Sequence, residues 1–395
     1  MNYILFDDQS RNSLLPFTFM RPVADIRTGI LTIREKWEHY LKTTTSSLTE
    51  TYLSGKFPIE KGEKNILING SILPTEELAK EVSRLQPQQA LVNADTIIAL
   101  HIESSDLDES IEMEIEGIDD VESKADFLKI NETFEIFHFN DRALRDDYDL
   151  ITRGRKSRPV SDTNRVIGKE NVFVEEGARV ECSALNATTG PIYLGKNSEV
   201  MEGCIIRGPF ALGESSILKM GAKIYGPTTI GPFSKVGGEV SSSVIFGFSN
   251  KAHDGFLGHS VIGEWCNLGA DTNTSNLKNS YDKVRLWNYA QQSFVNTGLQ
   301  FCGLIMGDHS KCGINTMFNT GTVVGVNSNI FGAGFQRNFV PSFSWGGTSG
   351  FKTYDIHKAM EVAEAVYKRR NLEFSDADKE ILVNVFDITH DNRSL

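Results

Sequence analysis

Short apolar runs alternate with helical patterns along the first 150 residues. The runs at 3–6, 65–68, 90–92 and 96–101 predict buried strands, because each is short, continuous and bounded by polar or turn-forming residues. Apolar residues recur at helical spacing over 28–40, behind a predicted cap at Thr28, and over 75–85, which opens with Thr-Glu-Glu. Strands that alternate with helices predict an α/β domain with a largely parallel sheet.

From about residue 166 the pattern changes to a period of six residues. An aliphatic residue opens each hexad and glycine often follows it, as in LGKNSE at Leu194 and VGGEVS at Val236. Eight hexads run without a break over 194–241, and others occupy 174–185, 262–273 and 306–335. Each hexad is one short strand and a bend, with its first and fifth residues pointing inward. Three hexads close one triangular coil, so the sequence predicts a left-handed parallel β-helix.

Two segments, 242–261 and 274–305, break this register. Both are predicted to loop outward, since the interior of a coil has no room for insertions, and outward loops on rigid scaffolds often carry functional residues. After residue 350, Asp355 is predicted to cap one helix, and Ser375 with Asp378 forms the capping box of another. These helices are expected to cover the open end of the β-helix. The predicted domains are 1–155 (α/β), 166–348 (β-helix) and 350–395 (helical cap).

The charge distribution narrows the range of partners. The net charge is −12, and residues 95–149 hold 18 acidic against 4 basic side chains. This acidic block is expected to be a solvated surface, and it argues against nucleic-acid binding. No stretch reaches the ~18 unbroken apolar residues that span a membrane. The N-terminal residues lack a secretory signal pattern, and the five cysteines form no Cys-x-x-Cys pair, which is typical of reduced thiols in the cytoplasm.

The segment KAHDGFLGHSVIGEWCNLGADTNTSN connects the β-helix to a known family. It resembles the acetyltransferase half of the GlmU family of bifunctional N-acetylglucosamine-1-phosphate uridyltransferases and glucosamine-1-phosphate acetyltransferases. The matching positions are Lys251–His253, Leu257–Gly258, Ile262–Gly263, Asn267–Asp271 and Ser275–Asn276. The stretches FCGLIMGDHSKCGINTMFNTGTVVG and FVPSFSWGG look like a Bacteroidetes-type variant of that family.

The resemblance implies roles for three polar residues. In the family the matching histidine is the general base that takes a proton from the sugar amine as it attacks acetyl-CoA, which implies this role for His253. Asn276 is implied to orient the imidazole or to hold the acetyl carbonyl. His259 stands where the family has an aspartate, so it is predicted to contact substrate and is the second candidate for the base.

The resemblance also implies contacts to substrate and cofactor. The family's phosphate-binding arginine aligns with a glycine here, so Lys235 and Lys251 are predicted to bind substrate in its place, together with Lys283. Basic residues near the end of the family's β-helix meet CoA phosphates, which implies that Arg337 and Lys352 contact acetyl-CoA. Family members are trimers with active sites between subunits, which implies a homotrimer.

The N-terminal stretch ILFDDQSRNSLLPFTFMRP has the frame of a sugar nucleotidyltransferase without its glycines. Arg11, Arg21, Asp7 and Asp8 are the predicted nucleotide-binding residues. Two aspartates repel phosphate unless Mg²⁺ intervenes, so Mg²⁺ is expected only if this domain is active. The family's metal-binding aspartate aligns with a serine here, at position 71.

Three functions stay open at this point. The first is an acyl-CoA-dependent N-acyltransferase that acts on an amino-sugar phosphate or a sugar nucleotide. The second is a sugar-1-phosphate nucleotidyltransferase that works through the N-terminal domain. The third is a non-catalytic trimer that binds a sugar nucleotide. No metal site is predicted, because His253 and His259 lack a third ligand at a suitable spacing, and His309 is expected at the surface.

Overall fold

The computed structural model describes residues 1–103 and 118–394. The central part of the predicted acidic block lies outside these residues. The N-terminal region contains one six-stranded sheet with helices packed around it. The strands of this sheet are β1 Asn2–Phe6, β2 Ser46–Leu48, β3 Lys64–Asn69, β5 Gln89–Asn93, β6 Thr96–Glu103 and β7 Asp119–Glu122, and a separate antiparallel pair is formed by β4 Ile72–Leu73 and β8 Leu128–Lys129. The helices of the region are α1 Ser10–Ser13, α2 Ile33–Leu41, α3 Glu76–Ser83, α4 Glu135–His138 and α5 Asn140–Thr152.

The N-terminal sheet is largely parallel, as predicted: five of its six strands run in the same direction, and β6 is reversed. The strand order is β2-β1-β3-β6-β5-β7. Strand β1 pairs with β2 and β3 in parallel, whereas β6 is antiparallel to both β3 and β5. The cause is the connection between β5 and β6: only Ala94 and Asp95 separate them, and so short a turn joins antiparallel strands.

Helix α2 begins four residues later than predicted. Thr32, and not Thr28, is its cap: the Thr32 hydroxyl accepts from the Glu35 N–H, and the Glu35 carboxylate accepts from the Thr32 N–H. Thr28 is instead buried and donates its hydroxyl to the Ile136 carbonyl oxygen at 3.0 Å. Gly29 has a φ of +78°, which interrupts any helix at that point.

The predicted hexapeptide β-helix is confirmed in its three faces and its stacked parallel strands. Face 1 contains β9 Arg165–Ile167, β12 Ala184–Asn186, β15 Ile205–Arg207, β18 Lys223–Tyr225, β21 Glu239–Ser241 and β24 Phe256–Gly258. Face 2 contains β10 Val172–Val174, β13 Ile192–Leu194, β16 Phe210–Leu212, β19 Thr228–Ile230, β22 Val244–Gly247, β25 Val261–Glu264, β30 Leu304–Met306, β33 Thr322–Val324 and β35 Phe339–Val340. Face 3 contains β11 Arg179–Val180, β14 Glu199–Val200, β17 Ile217–Leu218, β20 Lys235–Val236, β23 Asn250–Lys251, β26 Asn267–Leu268, β31 Lys311–Cys312, β34 Asn329–Ile330, β36 Ser344–Gly347 and β37 Gly350–Thr353. Two further pairs are β27 Asn273–Thr274 with β32 Met317–Phe318, and β28 Arg285–Asn288 with β29 Ser293–Asn296.

Only one of the two predicted outward loops exists. Residues 242–261 stay inside the stack as β22, β23 and β24, and Ile245 lies directly on Ile230 and beneath Ile262. The hexad pattern slips there because this coil is shortened, not because residues are inserted. Residues 274–305 do leave the coil, and they form the antiparallel hairpin of β28 and β29. This second loop was predicted correctly.

The C-terminal helices lie against the side of the β-helix rather than over its open end. They are α6 Ile356–Arg369, capped by Asp355, and α7 Asp376–Ile388, whose capping box joins Ser375 and Asp378 as predicted. The edge of face 3 is covered instead by β37, which pairs antiparallel with β36. Tyr367 of α6 stacks on Trp265 at 4.1 Å between ring centroids.

His309 is buried, so its predicted surface position is wrong. Its ring lies parallel to those of Trp265 and Tyr367, at centroid distances of 6.2 and 6.1 Å. Helix α6 therefore covers a corner of the coil that the hexad pattern alone would leave exposed. Within the described ranges, no helix is long and apolar enough to cross a membrane.

The N-terminal region packs directly on face 2 of the β-helix. Phe17 and Phe246 meet at 4.9 Å between ring centroids, and the two regions share one cluster of buried apolar side chains. The Arg27 Nε donates to the Phe246 carbonyl oxygen at 3.0 Å, and the Thr229 hydroxyl donates to the Gly29 carbonyl oxygen at 2.9 Å. This contact places the α/β region beside the corner that carries His259.

Candidate functional site

His259 occupies a corner of the coil between β24 and β25. Its φ of +48° is the left-handed conformation that recurs at the corners of this β-helix, for example at Trp265 and His309. This conformation directs the imidazole away from the coil interior. The ring stacks on Phe301 at a centroid distance of 5.1 Å and meets the edge of Phe137 at 5.8 Å. One wall of the site therefore comes from the N-terminal region, and another comes from the loop at 274–305.

The side-chain amide of Asn276 holds the imidazole in position. Its nitrogen lies 2.9 Å from the His259 Nδ1. Asn276 is itself fixed at the start of the outward loop, because its carbonyl oxygen accepts from the Cys302 N–H at 2.9 Å. The sequence predicted Asn276 as a partner of a catalytic histidine, and the structure pairs it with His259 rather than with His253.

Gly258 provides the space for this amide. A Cβ at residue 258 would lie 2.6 Å from the Asn276 amide nitrogen and 2.5 Å from the Phe256 Cζ. Both distances are far below an ordinary van der Waals contact, which begins near 3.4 Å. A glycine immediately before His259 is therefore required for steric reasons, and not only by the hexad pattern.

Burial keeps the imidazole uncharged. Desolvation lowers the pKa of His259 to about 4, so the ring is neutral at pH 7. The amide of Asn276 can present either its nitrogen or its oxygen to the ring. When the oxygen faces Nδ1, that nitrogen carries the proton and Nε2 has the free lone pair that a proton acceptor needs.

A cavity of about 370 Å³ opens beside His259. This histidine pocket is lined by Phe137, His138, Pro227, Ser242, His259, Lys283, Gly298, Leu299, Gln300 and Phe301. Among the described residues that line it, Lys283, which was predicted to bind substrate, is the one lysine or arginine, and none is a carboxylate. The histidine pocket is therefore suited to a small polar molecule that carries a negative group.

A second cavity of about 720 Å³ lies on the other side of the same loop, beneath the hairpin of β28 and β29. This hairpin cavity is lined by Lys278, Arg285, Trp287, Phe294, Asn319, Thr320, Arg337, Asn338 and Phe339. Its described lining residues include three cations, no carboxylate and a Trp287 ring stacked on Phe339 at 4.3 Å. The Trp287 Nε1 is buried without a hydrogen-bond partner. These features fit an elongated anion with a planar ring.

Residues of the outward loop contribute to both cavities. Lys278 lines the hairpin cavity and Lys283 lines the histidine pocket, and the Lys278 Nζ donates to the Lys283 carbonyl oxygen at 3.1 Å. The Ser275 hydroxyl lies 2.7 Å from the hydroxyl of Thr320, which also lines the hairpin cavity.

Of the two predicted CoA contacts, Arg337 lies in the hairpin cavity and Lys352 does not. Lys352 is exposed on β37, which pairs with the outermost strand of face 3. Lys278, Arg285 and Trp287 line the cavity and were missed. The composition of the predicted outward loop could have identified these residues, because basic and aromatic residues interrupt the hexads there.

The other predicted substrate contacts lie on face 3. His253 is exposed in the turn after β23, and it shares a cleft with Lys235. Lys251 is buried, and its ammonium donates to the Gly237 and His253 carbonyl oxygens at 3.0 and 2.6 Å. The prediction that Lys251 contacts substrate is therefore wrong: this lysine braces the turn that carries His253.

The same cleft extends from face 3 to α6. We name it the basic cleft, and it is lined by Lys235, Phe248, Asn250, Ala252, His253, Trp265, Cys266, Asn267, Leu268, Gly269, Ala270, Lys311, Ile314, Val366, Arg369 and Arg370. Its volume is about 590 Å³. Neither Asn276 nor His259 lines it. The two predicted histidines therefore belong to separate sites.

Three of the four predicted nucleotide-binding residues have structural partners instead. Asp7 is buried and accepts from the Arg11 guanidinium at 3.0 Å, the Thr49 hydroxyl at 2.6 Å and the Val23 N–H at 2.7 Å. Arg11 also donates to the Thr18 carbonyl oxygen at 2.6 Å. Arg21 is buried against Asp308 of the β-helix, so it joins the two regions. Their predicted roles in nucleotide binding are corrected accordingly.

Asp8 borders a cavity formed by residues of the N-terminal region. The cavity measures about 510 Å³ and lies at the carboxyl ends of β1 and β3, where it also includes Asn69, Asp95 and Lys129. The Asp8 carboxylate accepts from the Asn69 amide at 2.9 Å and pairs with the Lys129 Nζ at 3.0 Å. In the described part of the chain, no three His, Cys, Asp or Glu side chains converge on a common metal position. Asp8, Asp95 and Glu132 are the carboxylates that line this cavity, and Asp8 is already paired with Lys129.

Comparison with known proteins gives one family match in the N-terminal region and several partial relatives. Residues 3–156 match the family model described as sugar nucleotidyl transferase. The chain is 34% identical over 90 residues to the bifunctional protein GlmU of Methanococcus aeolicus, which covers 23% of this chain and 21% of that protein. It is 36% identical over 89 residues to the bifunctional protein GlmU of Methanocaldococcus jannaschii, covering 22% and 21%. The chain thus spans about one fifth of the length of these relatives.

A solved structure with a partial likeness is the UDP-N-acetylglucosamine acyltransferase of Arabidopsis. It is 14% identical, covers 60% of this chain and 92% of its own, and has a TM-score of 0.25. The resemblance to GlmU proteins that the sequence predicted is confirmed for the portion of the chain that the sequence matches cover.

Proposed function

We propose that this chain is an acyl-CoA-dependent N-acyltransferase that acts on the amino group of a phosphorylated amino sugar, with His259 as the general base. The observation that carries the proposal is the His259–Asn276 pair, 2.9 Å apart, beside a cavity whose described lining residues include Lys283 and no carboxylate. A neutral imidazole with a fixed orientation is the group that an amine needs when it attacks a thioester. The sequence similarity to bifunctional GlmU proteins supports the reaction class.

The reaction assigns one step to each group. The amine nitrogen of the sugar forms a bond to the thioester carbonyl carbon, and the carbon–sulfur bond breaks. The His259 Nε2 takes the proton that the amine loses, and this proton then leaves with the CoA thiolate as a free thiol. With its amide oxygen turned toward Nδ1, Asn276 would keep the ring in the tautomer that accepts at Nε2. Lys283 in the histidine pocket would hold the phosphate of the acceptor.

The hairpin cavity would bind the nucleotide end of the acyl donor. Lys278, Arg285 and Arg337 supply three positive charges for its phosphates, and Trp287 and Phe339 supply ring faces for an adenine. The unpartnered Trp287 Nε1 offers a hydrogen bond to an acceptor on the donor molecule. Acetyl-CoA is the first donor to test. Longer acyl groups would need space in the histidine pocket, whose volume is about 370 Å³.

The test measures free thiol released from acetyl-CoA by the full-length protein with a panel of amino-sugar phosphates. The His259→Ala variant should lose roughly 10²- to 10⁴-fold in kcat, the usual contribution of a general base. His357→Ala removes an exposed histidine from α6 and serves as the matched control. Retained activity in His259→Ala, or a loss confined to His253→Ala, would refute the assignment of the base.

A second candidate function is sugar-1-phosphate nucleotidyl transfer at the N-terminal cavity. The match of residues 3–156 to the sugar nucleotidyl transferase model and the 510 Å³ cavity at the ends of β1 and β3 favour it. Against it, Lys129 is the only lysine or arginine that lines this cavity, and Asp8 already pairs with it. Pyrophosphate release from UTP or dTTP with a sugar 1-phosphate and Mg²⁺ tests this function. Activity that persists in Lys129→Ala would exclude this cavity as the site.

We further propose that the chain assembles as a homotrimer. Face 1 carries three exposed apolar side chains: Ile167 on β9, Ile205 on β15 and Tyr225 on β18 are 57%, 59% and 39% exposed. Exposed apolar side chains on one face of a rigid rod are suited to packing against another subunit. Light scattering coupled to gel filtration should give three times the 43.9 kDa of one chain. An Ile205→Lys variant should reduce that mass, and a monomeric wild-type protein would contradict the proposal.

A further inference from the structure

The histidine pocket is built from three parts of the chain. Ser242 and His259 occupy the same corner on successive coils of the β-helix. The outward loop supplies Lys283. Helix α4 of the α/β region supplies Phe137 and His138, which are its last two residues. A polar side chain of the α/β region thus borders the proposed acyl-transfer site.

The backbone around His138 is fixed on both sides. Two residues before it, the Ile136 carbonyl oxygen accepts from the buried Thr28 hydroxyl at 3.0 Å. Two residues after it, the Asn140 amide nitrogen donates to the carbonyl oxygen of Pro227, another residue that lines the pocket, at 3.0 Å. The side chain of His138 itself is exposed. An exposed side chain on a fixed backbone can contact a ligand without ordering a mobile segment, which keeps the entropic cost of binding low.

The chemistry of the lining favours an anion held between two regions. Among the described residues that line the pocket, Lys283, His138 and His259 are the basic groups, and none is a carboxylate. His259 is proposed as the base and is neutral at pH 7, because burial lowers its pKa to about 4. His138 and Lys283 are therefore left to bind the phosphate of the acceptor. An imidazole donates an N–H to a phosphate oxygen whether it is neutral or protonated.

We infer that His138 is a substrate-binding residue that holds the phosphate group of the acceptor together with Lys283. This role rests on the proposed acyl transfer at His259, and it gives the α/β region a direct contact with substrate. A phosphomonoester suits the two groups, because its oxygens accept from the ammonium and from the imidazole at the same time. The α/β region would then select phosphorylated over unphosphorylated amino sugars.

Calorimetric titration of the full-length protein tests this role without depending on turnover. The probes are glucosamine 1-phosphate, glucosamine 6-phosphate and unphosphorylated glucosamine. Wild-type protein should bind at least one of the two phosphates, and His138→Ala should weaken that binding by about tenfold, the effect of one hydrogen bond to a charged group. Affinity for either phosphate that is unchanged in His138→Ala would overturn the inference. An equal loss of affinity for glucosamine, or no binding of either phosphate to the wild-type protein, would also overturn it.

Two further variants separate the hydrogen bond from the shape of the side chain. His138→Gln keeps an N–H donor and should recover most of the affinity, whereas His138→Phe keeps the ring without a donor and should not. His39→Ala removes an exposed histidine from α2 of the same region and should change the affinity by less than about twofold. A loss in His39→Ala equal to that in His138→Ala would contradict the proposed contact.

Thiol release distinguishes this inference from the proposed function. His138→Ala should raise KM for the phosphorylated acceptor about tenfold and leave kcat within about threefold, because a contact made equally in the ground state and the transition state is lost. A fall in kcat with unchanged KM would overturn the binding role. Wild-type protein that binds the sugar phosphate through His138 but releases no thiol would contradict the proposed acyl transfer and leave this contact established.

Discussion

A single methyl group at residue 258 should disable the proposed base without touching it. Gly258→Ala places a Cβ 2.6 Å from the Asn276 amide nitrogen and 2.5 Å from the Phe256 Cζ. Both neighbours are the ends of side chains, so they can move without breaking the strand pairing of β24. The coil should therefore fold, and the amide of Asn276 should shift away from residue 258.

The size of that shift sets the expected loss of activity. The amide nitrogen must move by about 0.8 Å to reach an ordinary contact of 3.4 Å. Its hydrogen bond to the His259 Nδ1, now 2.9 Å long, would be stretched or lost. Because a displacement of about 1 Å in a catalytic group can cost about 10²-fold, we expect kcat to fall by roughly 10- to 100-fold. KM for the acyl donor should change little, since the hairpin cavity is untouched.

The assay is steady-state thiol release, with thermal unfolding followed by circular dichroism on the same samples. Gly313→Ala is the matched control: it also adds a methyl to the β-helix, but its Cβ would lie 3.5 Å from the Phe331 Cβ, an ordinary contact. That variant should keep its activity. Unchanged kcat in a folded Gly258→Ala protein would show that the orientation of Asn276 does not matter, and the mechanism would be refuted.

Two further predictions concern charge. Because the pKa of His259 is lowered to about 4, kcat/KM should be flat between pH 6 and pH 8. It should fall only as the pH approaches 4, where the imidazole becomes protonated. A loss of activity with a midpoint near pH 6.5 that persists in His259→Ala would contradict this prediction. Arg21→Ala should lower the free energy of unfolding by about 3 to 5 kcal/mol, since it leaves Asp308 buried without its partner. Arg21→Ala/Asp308→Ala should lose less than the single variant in urea unfolding, and equal losses would show that the pair is not coupled.

The fold was largely predictable because its physical causes are local. A repeat of six residues with aliphatic first positions determines a three-faced coil, and Leu194, Leu212 and Ile230 do lie one above another. The capping box of Ser375 and Asp378 likewise acts within four residues. Each of these features needs only near neighbours in the sequence, so the sequence displays it directly.

Features that depend on distant contacts were missed. Helix α2 starts later than predicted because the Thr28 hydroxyl does not cap it. This hydroxyl donates instead to the carbonyl oxygen of Ile136, more than one hundred residues away. His309 is buried by Tyr367 of α6, and the hexad pattern gives no indication of this contact. The prediction of an outward loop at 242–261 was wrong because a shortened coil and an outward insertion interrupt the six-residue pattern in the same way. Distinguishing them requires the strand register, which only the three-dimensional structure provides.

The candidate site shows the same limit. Sequence similarity led to His253 and Asn276 as one unit, because the two residues flank a single stretch of hexads. In the folded coil the two residues lie at different positions. His253 lies beside face 3, whereas Asn276 lies at the corner that carries His259. Lys251 and Lys235 are also divided, one buried under a turn and one exposed in the cleft. Residues near each other in sequence thus serve different sites.

The N-terminal region shows how a segment typical of nucleotide binding can serve another purpose. Where nucleotidyltransferase-like sequences have glycines, Asp7 and Arg11 form a buried pair. Ten residues later, the side chain of Arg21 points away from the α/β region and pairs with Asp308 of the β-helix. A guanidinium buried in this way has no freedom to reach a phosphate, and removing it would separate two regions that share one apolar core. The segment 7–27 therefore acts as the attachment of the α/β region to face 2. That attachment brings Phe137 to the imidazole of His259, so the α/β region contributes to the proposed acyl-transfer site as one of its walls.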